Sequence, residues 1–289
     1  MPEGAFHGFK SIYSNGTVTN IGSGLSVLIE LSVGITPIKV HQRFIDLLIS
    51  ECSNYEHISE MHHFRELTMW NISQAPFGGT VYGTLLNHRE ALAALGDQVN
   101  AAPYKAPPKA PILYIKPRNT WAQSGDSVVV PSDVQELQMG ATLGLVMGRT
   151  ASNVSVADAM DYVAGYVVVN DISVPHESFY RPSMRYKCRD GFCPMGAFVP
   201  REAVVNPDAL AVTVAIDGVV MQQTDTAGRV RSITQLLADV TEFMTLHPGD
   251  ILSIGVSAHS PLAHAGQCVT ITVAGVGQLE NTLVSEELV

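Results

Sequence analysis

Between Asn170 and Pro194 the chain gathers an unusual set of reactive side chains. Asn170-Asp171 leads into Ser178-Phe179-Tyr180-Arg181-Pro182, and Lys187-Cys188-Arg189-Asp190-Gly191-Phe192-Cys193-Pro194 follows. Arg181, Arg185, Lys187 and Arg189 outnumber Asp171, Glu177 and Asp190 in this stretch, while only 15% of the whole chain is charged. The cations alternate with Phe179, Tyr180 and Phe192. Large apolar groups interleaved with convergent polar ones line pockets more often than they stand in water. The stretch therefore reads as a site for a small anionic molecule.

Composition narrows the partners. Seventeen Lys and Arg against 27 Asp and Glu give a net charge of −10, and no basic stripe is present, so nucleic acid is not expected. Locally converging arginines still let an acidic protein hold an acidic ligand. The four cysteines (Cys52, Cys188, Cys193 and Cys268) lack the paired spacing of a zinc site and read as reduced thiols of a cytoplasmic protein. The best apolar run, Leu25–Ile35, is interrupted by Glu30 and is shorter than the ~20 residues of a membrane span. No membrane association and no signal peptide are expected.

The chain changes character near Gly78-Gly79. Residues 1–77 carry five of the ten histidines (His7, His41, His57, His62 and His63) and little strand–turn rhythm. Within them His41–Glu51 has helical apolar spacing. His62-His63 do not share a helix face and read as surface histidines. This part reads as an extension, and residues 78–289 as one functional domain.

That domain reads as many short strands with three or four helices. Strands are expected at Thr80–Leu86, Pro111–Lys116, Ser127–Pro131, Ala141–Gly148, Ala164–Val169, Asp250–Ile254 and Cys268–Val273. Leu210–Ile216 and Val219–Gln222 flank Asp217-Gly218, a strong hairpin signal. Helices are expected at Arg89–Leu95, at Ser155–Tyr162 with Ser155 as N-cap and Asp158 three residues on, and at Ser232–Thr245 with Ser232 as N-cap. Ala102–Lys109, rich in proline, reads as a stiff surface loop. With no βαβ alternation, the fold class is β-rich α+β.

Several runs taken together carry a resemblance. Tyr104–Lys109, Ile115-Lys116-Pro117-Arg118-Asn119-Thr120, Ala164-Gly165-Tyr166, Asn170-Asp171, Ser178–Pro182, Lys187–Pro194 and Phe243–Asp250 resemble, in this order, the fumarylacetoacetate hydrolase family. The resemblance spans roughly residues 78–289. It implies a mixed β-roll of the family's C-terminal-domain type with a few peripheral helices. It also implies isomerase, decarboxylase (lyase) or related chemistry on 2-oxo or 2-hydroxydienoate acids through an enolate. The resemblance further implies a divalent Mg²⁺ or Mn²⁺ ion, held by a Glu-x-Glu and a later Asp. Three carboxylates suit such a hard cation.

Aligned on Leu143–Gly148, however, Gly140 and Thr142 stand where the family has its two glutamates. Asp171 alone remains of the metal ligands, so weak or absent metal binding is expected. Gly255-Val256 replaces the Gly-Thr that cradles a substrate carboxylate in relatives. His88 and Glu90 are the nearest candidates for the family's lid His and Glu, but with shifted spacing. The marks Lys-Ala-Pro-Pro-Lys, Gly140-Ala141-Thr142 and Cys188–Pro194 resemble the N-terminal copy of members built from two copies of the fold. A homologous metal-bearing subunit, or a homo-oligomer, is the partner this implies.

The resemblance supplies roles. Lys187 holds a substrate carboxylate or moves a proton, since burial can lower a lysine into a useful range. His88 and Glu90 are general acid/base candidates. Arg181 and Arg185 pair distal carboxylates, and Tyr180, Lys116 and Asp190 complete the substrate-binding set. Each has a structural alternative: Lys187 as an ion pair with Asp171 or Asp190, Arg181 as a loop tie, His88 as a helix cap. Three functions fit these features: an isomerase/decarboxylase subunit, a silent partner that stabilises an active homologue, and a binding module for a small anion.

Overall fold

β-Branched residues and short apolar alternations dominate the chain from Gly79 onward, and the pleated sheet is where such side chains pack best. The computed structural model describes residues 78–176 and 183–288. The expected helix at His41–Glu51, His62-His63, the extension as a whole, Tyr180 and Arg181 lie outside the described residues.

In chain order the strands are β1 (Val81–Leu85), β2 (Ile112–Lys116), β3 (Trp121–Gln123), β4 (Ser127–Val130), β5 (Leu137–Gln138), β6 (Ala141–Met147), β7 (Val163–Asn170), β8 (Cys193–Met195), β9 (Val199–Pro200), β10 (Ala211–Ile216), β11 (Val219–Asp225), β12 (Ile251–Ser253), β13 (Leu262–Ala263), β14 (Cys268–Val273) and β15 (Gly277–Ser285). The α-helices are α1 (Arg89–Ala93), α2 (Met184–Lys187) and α3 (Ile233–Phe243).

Eight strands form one mixed sheet in the order β2-β1-β12-β6-β7-β8-β3, with β9 paired to β7. Five form a second sheet, β11-β10-β14-β15-β4, and β13 pairs with β5. Most pairs are antiparallel; β1–β12, β3–β8 and β4–β15 are parallel. This is the curled, β-rich roll with few helices that the resemblance implies. The centre of the large sheet is dry: every residue of β6 is buried. Leu143, Leu145, Tyr166, Val168 and Met147 face a core shared with Val214, Ile271 and Leu283 of the second sheet and Leu236, Leu237 and Val240 of α3. Burying side chains of this size contributes roughly 1.5–3 kcal/mol each.

Local signals explain several elements. Asp217 and Gly218 both have positive φ (50° and 78°), which closes the β10–β11 hairpin with the twist its strands need. Ser232 caps α3 by accepting from the Gln235 N–H. The helix expected at Ser155–Tyr162 is not formed. Ser155 Oγ does bond Asp158, but only a 3₁₀ turn follows, at Ala159–Tyr162. Arg201 from a distant segment takes the Met160 carbonyl there, and β7 begins at once at Val163. The expected strand Val219–Gln222 runs on to Asp225, and β3, β8 and β15 are additional.

Among the described residues no helix is long and apolar enough to cross a membrane.

Candidate functional site

A cleft opens at one end of the large sheet, where β2, the start of β6, the end of β7 and α2 meet. Asp171, directly after β7, lies at its base. Its backbone N–H bonds the Gly140 carbonyl at 2.8 Å, so the two chains stay paired one step beyond the ladder. From β2 come Tyr114 and Lys116, two apart and therefore on one face of the strand. Gly83 of β1 pairs opposite Tyr114, and a Cβ there would collide with the phenol ring. A glycine is thus what lets Tyr114 lie across β1 and donate its hydroxyl proton to Asp171 Oδ2.

Lys116 is 2% exposed, an extreme for lysine. It is kept there by complete pairing. Its ammonium donates to the carbonyls of Ile172 (2.8 Å), Lys187 (2.8 Å) and Phe192 (2.7 Å), and stands 2.8 Å from Asp171 Oδ1. The three carbonyls take its three protons. Asp171 Oδ1 therefore meets the charge without a hydrogen bond of its own. Lys187, buried at the end of α2, donates to Asp171 Oδ2 at 2.6 Å and lies 4.8 Å from the centre of the Tyr114 ring. The ion pair anticipated between Lys187 and Asp171 is present. Two ammoniums and one carboxylate leave the cluster with one surplus positive charge.

Burial alone would raise the Asp171 carboxyl; the charges of the Lys116 and Lys187 ammoniums, with the Lys187 hydrogen bond, outweigh it and hold Asp171 well below the usual carboxylate range. Burial pulls Lys187 below an ordinary lysine, against the attraction of Asp171. Tyr114 is pushed well above an ordinary phenol by burial and then by Asp171, so it stays a donor.

Ala91, Gln138, Ser173, His176, Ser257 and Ser260 add to the cleft lining around this cluster. The remaining candidates are elsewhere. Glu90 is exposed in the first turn of α1, and that helix reaches the cleft through Ala91. His88 occupies the N-cap position of α1 but makes no capping hydrogen bond. It is buried against Gly228 in a separate small cavity with Arg229, Thr142 and Ser257. Arg185 is exposed, and its carbonyl accepts from Arg189. Asp190, also exposed, accepts from the Asn119 amide at 2.7 Å and so pins the loop after α2. Sequence reading missed Tyr114 and His176. Tyr114 carried a signal, since it shares a strand face with Lys116; His176 carried none.

The donors present do not fit a divalent ion. A Cβ on Gly140 would enter the Asp171 backbone, so nothing larger sits there unless the chain moves. The Thr142 hydroxyl donates to the Gly255 carbonyl at 2.8 Å and contacts Ser253 Oγ at 3.2 Å. Asp171 is engaged by two ammoniums and a phenol. Among the described residues no three His, Cys, Asp or Glu side chains converge as a metal cage.

Comparison with known proteins agrees with this architecture. The profile of the family described as fumarylacetoacetate (FAA) hydrolase C-terminal matches residues 80–284. The 4-hydroxyphenylacetate degradation bifunctional isomerase/decarboxylase of Escherichia coli is 41% identical over 208 residues, covering 72% of this chain and 48% of that protein. The chain thus spans about half the length of that relative. The mitochondrial oxaloacetate tautomerase of Bos taurus is 33% identical over 155 residues, covering 52% of this chain and 70% of that protein. Among solved structures, a 5-carboxymethyl-2-hydroxymuconate delta-isomerase from Mycobacterium smegmatis superposes with a TM-score of 0.62 at 25% identity, over 73% of this chain and 80% of that one. A fumarylpyruvate hydrolase from Pseudomonas aeruginosa, solved with Mn²⁺ and pyruvate, shares the fold, with a TM-score of 0.65 at 21% identity over 74% of this chain and 92% of that one.

Proposed function

The chain belongs to the fumarylacetoacetate hydrolase family, and from that premise we propose that residues 78–289 act on a small 2-oxo or 2-hydroxydienoate acid bearing further carboxylates. The reaction is isomerisation or decarboxylation through an enolate, within an isomerase/decarboxylase of 4-hydroxyphenylacetate breakdown. The Escherichia coli relative, a 4-hydroxyphenylacetate degradation bifunctional isomerase/decarboxylase, supports this reaction type. Residues 1–77 are an extension of this unit, and the cytoplasm is its compartment.

The observation that carries the reading is the surplus positive charge around Asp171. Lys187 presents an ammonium to a cleft of the right kind for a carboxylate or a 2-oxo oxygen. When a 2-oxo acid enolises or loses CO₂, negative charge grows on that oxygen. A preorganised, largely buried cation stabilises such charge without reorganising. Asp171 holds Lys187 in place, Lys116 holds Asp171, and Tyr114 fixes the second carboxylate oxygen. Arg185 lies in α2, Tyr180 and Arg181 come shortly before it in sequence, and all three are proposed to meet the distal carboxylates. His88 and Glu90 remain acid/base proposals that need α1 to move.

A second reading is favoured by Gly140 and Thr142. With the glutamate positions closed, the chain would be the silent partner of a homologous metal-bearing subunit. One experiment separates the two. The purified chain is assayed spectrophotometrically on 2-hydroxyhepta-2,4-diene-1,7-dioate and on 5-oxopent-3-ene-1,2,5-tricarboxylate, with EDTA or with Mg²⁺. Loss of dienol absorbance in EDTA supports catalysis by side chains. No turnover until a Glu-x-Glu homologue is added supports the silent partner.

A further inference from the structure

The five-stranded sheet ends on β11. Among the described residues β11 pairs with β10 alone, so backbone N–H and C=O groups along its outer side point away from the sheet. Such an edge is a template for another strand, and proteins that keep an edge free place lysine, proline or charge there. β11 reads Val-Val-Met-Gln-Gln-Thr-Asp, and its one charge, Asp225, stands at the far end.

The start of the strand is apolar and open. Val219, Val220 and Met221 are 62%, 51% and 56% exposed, three large apolar side chains in succession. Regular alternation would turn every second one to the other face. A bulge breaks the alternation: Val214 of β10 pairs with Gln222 and Ala215 with Val220, which leaves Met221 as the extra residue. The bulge adds twist but puts no charge on the edge. Single exposed apolar residues are ordinary on a surface, whereas a run of three on an unpaired edge marks a contact. β11 also carries Gln222, whose amide nitrogen donates to the Ala258 carbonyl at 2.8 Å and to the Ser257 hydroxyl and His259 carbonyl at 3.2 Å each. Ser257 lines the cleft, so the strand with the open edge also holds one wall of the site.

We propose that β11 is the contact between two copies of this chain, laid side by side and antiparallel across a twofold axis at Val220. The strand complements itself. About that axis Val220 faces Val220 of the second copy, and Val219 faces its Met221, so each exposed apolar side chain meets another. A twofold contact requires this self-complementarity. Charge points to the same occupant. The net charge of −10 drives copies apart over most of their surface. From Val219 to Thr224 β11 has no charge, so two copies meet there without opposed carboxylates. Such a dimer requires no particular substrate and stands apart from the catalytic reading.

Sedimentation velocity on the full chain across a concentration series tests this. A reversible monomer–dimer equilibrium is expected, with hydrogen exchange at the β11 amides slowing as the dimer forms. Because Val220 sits on the axis, Val220→Lys sets a lysine against itself and is expected to raise the dissociation constant about tenfold or more. An equimolar mixture of Val220→Lys and Val220→Glu chains is expected to dimerise again, which a merely damaged fold would not do. If Val220→Lys fails to fold, Met221→Glu mixed with Val219→Lys gives the same comparison. A monomer at every concentration up to roughly 100 µM overturns the inference, whether its β11 amides exchange freely or are covered by another stretch of the chain. A dimer untouched by these variants overturns it too, since it uses another surface. So does capture of a Glu-x-Glu homologue through β11 by a chain that stays monomeric, because the occupant is then a different subunit.

Discussion

Gly140 and Asp171 are joined backbone to backbone: the Asp171 N–H donates to the Gly140 carbonyl at 2.8 Å, and a Cβ on Gly140 would overlap the Asp171 main chain. The position where the resemblance leads one to expect the first metal glutamate is here a packing site. Gly140→Ala is therefore expected to lose roughly 1–3 kcal/mol of stability, as overpacked sites do. Gly140→Glu combined with Thr142→Glu is expected to gain no micromolar Mn²⁺ affinity. Urea denaturation and calorimetry check the two halves; micromolar binding by the double variant would show that the strand still opens into a metal site.

Acid should weaken the fold through Asp171. Its carboxyl is held below the ordinary carboxylate range, so the unfolded chain takes its proton first as pH falls. The stabilisation is complete above the ordinary carboxyl value of about 3.9 and is lost as pH drops through the folded one. Asp133 and Glu286 are lowered too, by a hydrogen bond from Arg189 and from Ser132 respectively, but a variant at Lys187 leaves those bonds alone. With one ammonium gone, Lys187→Met should lose less stability than the wild type between about pH 5 and pH 2. Parallel stability–pH curves for the two proteins would remove Lys187 from the cause of the shift.

What the sequence made legible follows from how local each signal is. Asp217-Gly218 demands positive φ at both positions, and Ser232 needs only its own helix, so both features were readable. Ser155 and Asp158 formed their local bond, yet the helix they announce was overruled by Arg201 and by β7. The nine residues of β15 escaped notice for a different reason. Leu279, Asn281 and Leu283 face inward in alternation, and the polar Asn281 breaks the apolar pattern. The Asn281 amide nitrogen donates to the carbonyls of Gln123 and Asp126, which lie far away in sequence. The cleft shows the same division. Asp171 and Lys187 could be placed through the resemblance, whereas His176 and Tyr114 join them only through strand pairing and a ring stack. Glu90 and His88 are close in sequence to the lid pattern, but helix geometry turns one to solvent and the other into a separate cavity.

Turnover should depend on Lys187 far more than folding does. In Lys187→Met, Asp171 keeps Lys116 and Tyr114, so the carboxylate remains paired, but the cleft loses its surplus charge. Losing a preorganised charge at a developing oxyanion typically costs ~10²- to 10³-fold in kcat. The assay on 2-hydroxyhepta-2,4-diene-1,7-dioate, run beside a thermal melt, reads both effects. Unchanged kcat in the assembled enzyme would take Lys187 out of the mechanism.

The two lysines, although both paired with one carboxylate, should differ sharply as structural elements. Lys116 ties three carbonyls from the segments around Ile172, Lys187 and Phe192 to the base of the cleft. Lys116→Met would take this donor from all three, leaving the Phe192 carbonyl only the Ile172 N–H, and would halve the charge compensating Asp171; breaking a buried pair of this kind costs on the order of 3–5 kcal/mol. Lys187→Met loses one donor to an oxygen that Tyr114 still serves, a loss of about 1–3 kcal/mol. Chemical denaturation of the two variants should therefore rank Lys116→Met as the less stable by a clear margin. The reverse order would mean that the surplus charge, rather than the carbonyl cage, dominates the energetics of this cluster.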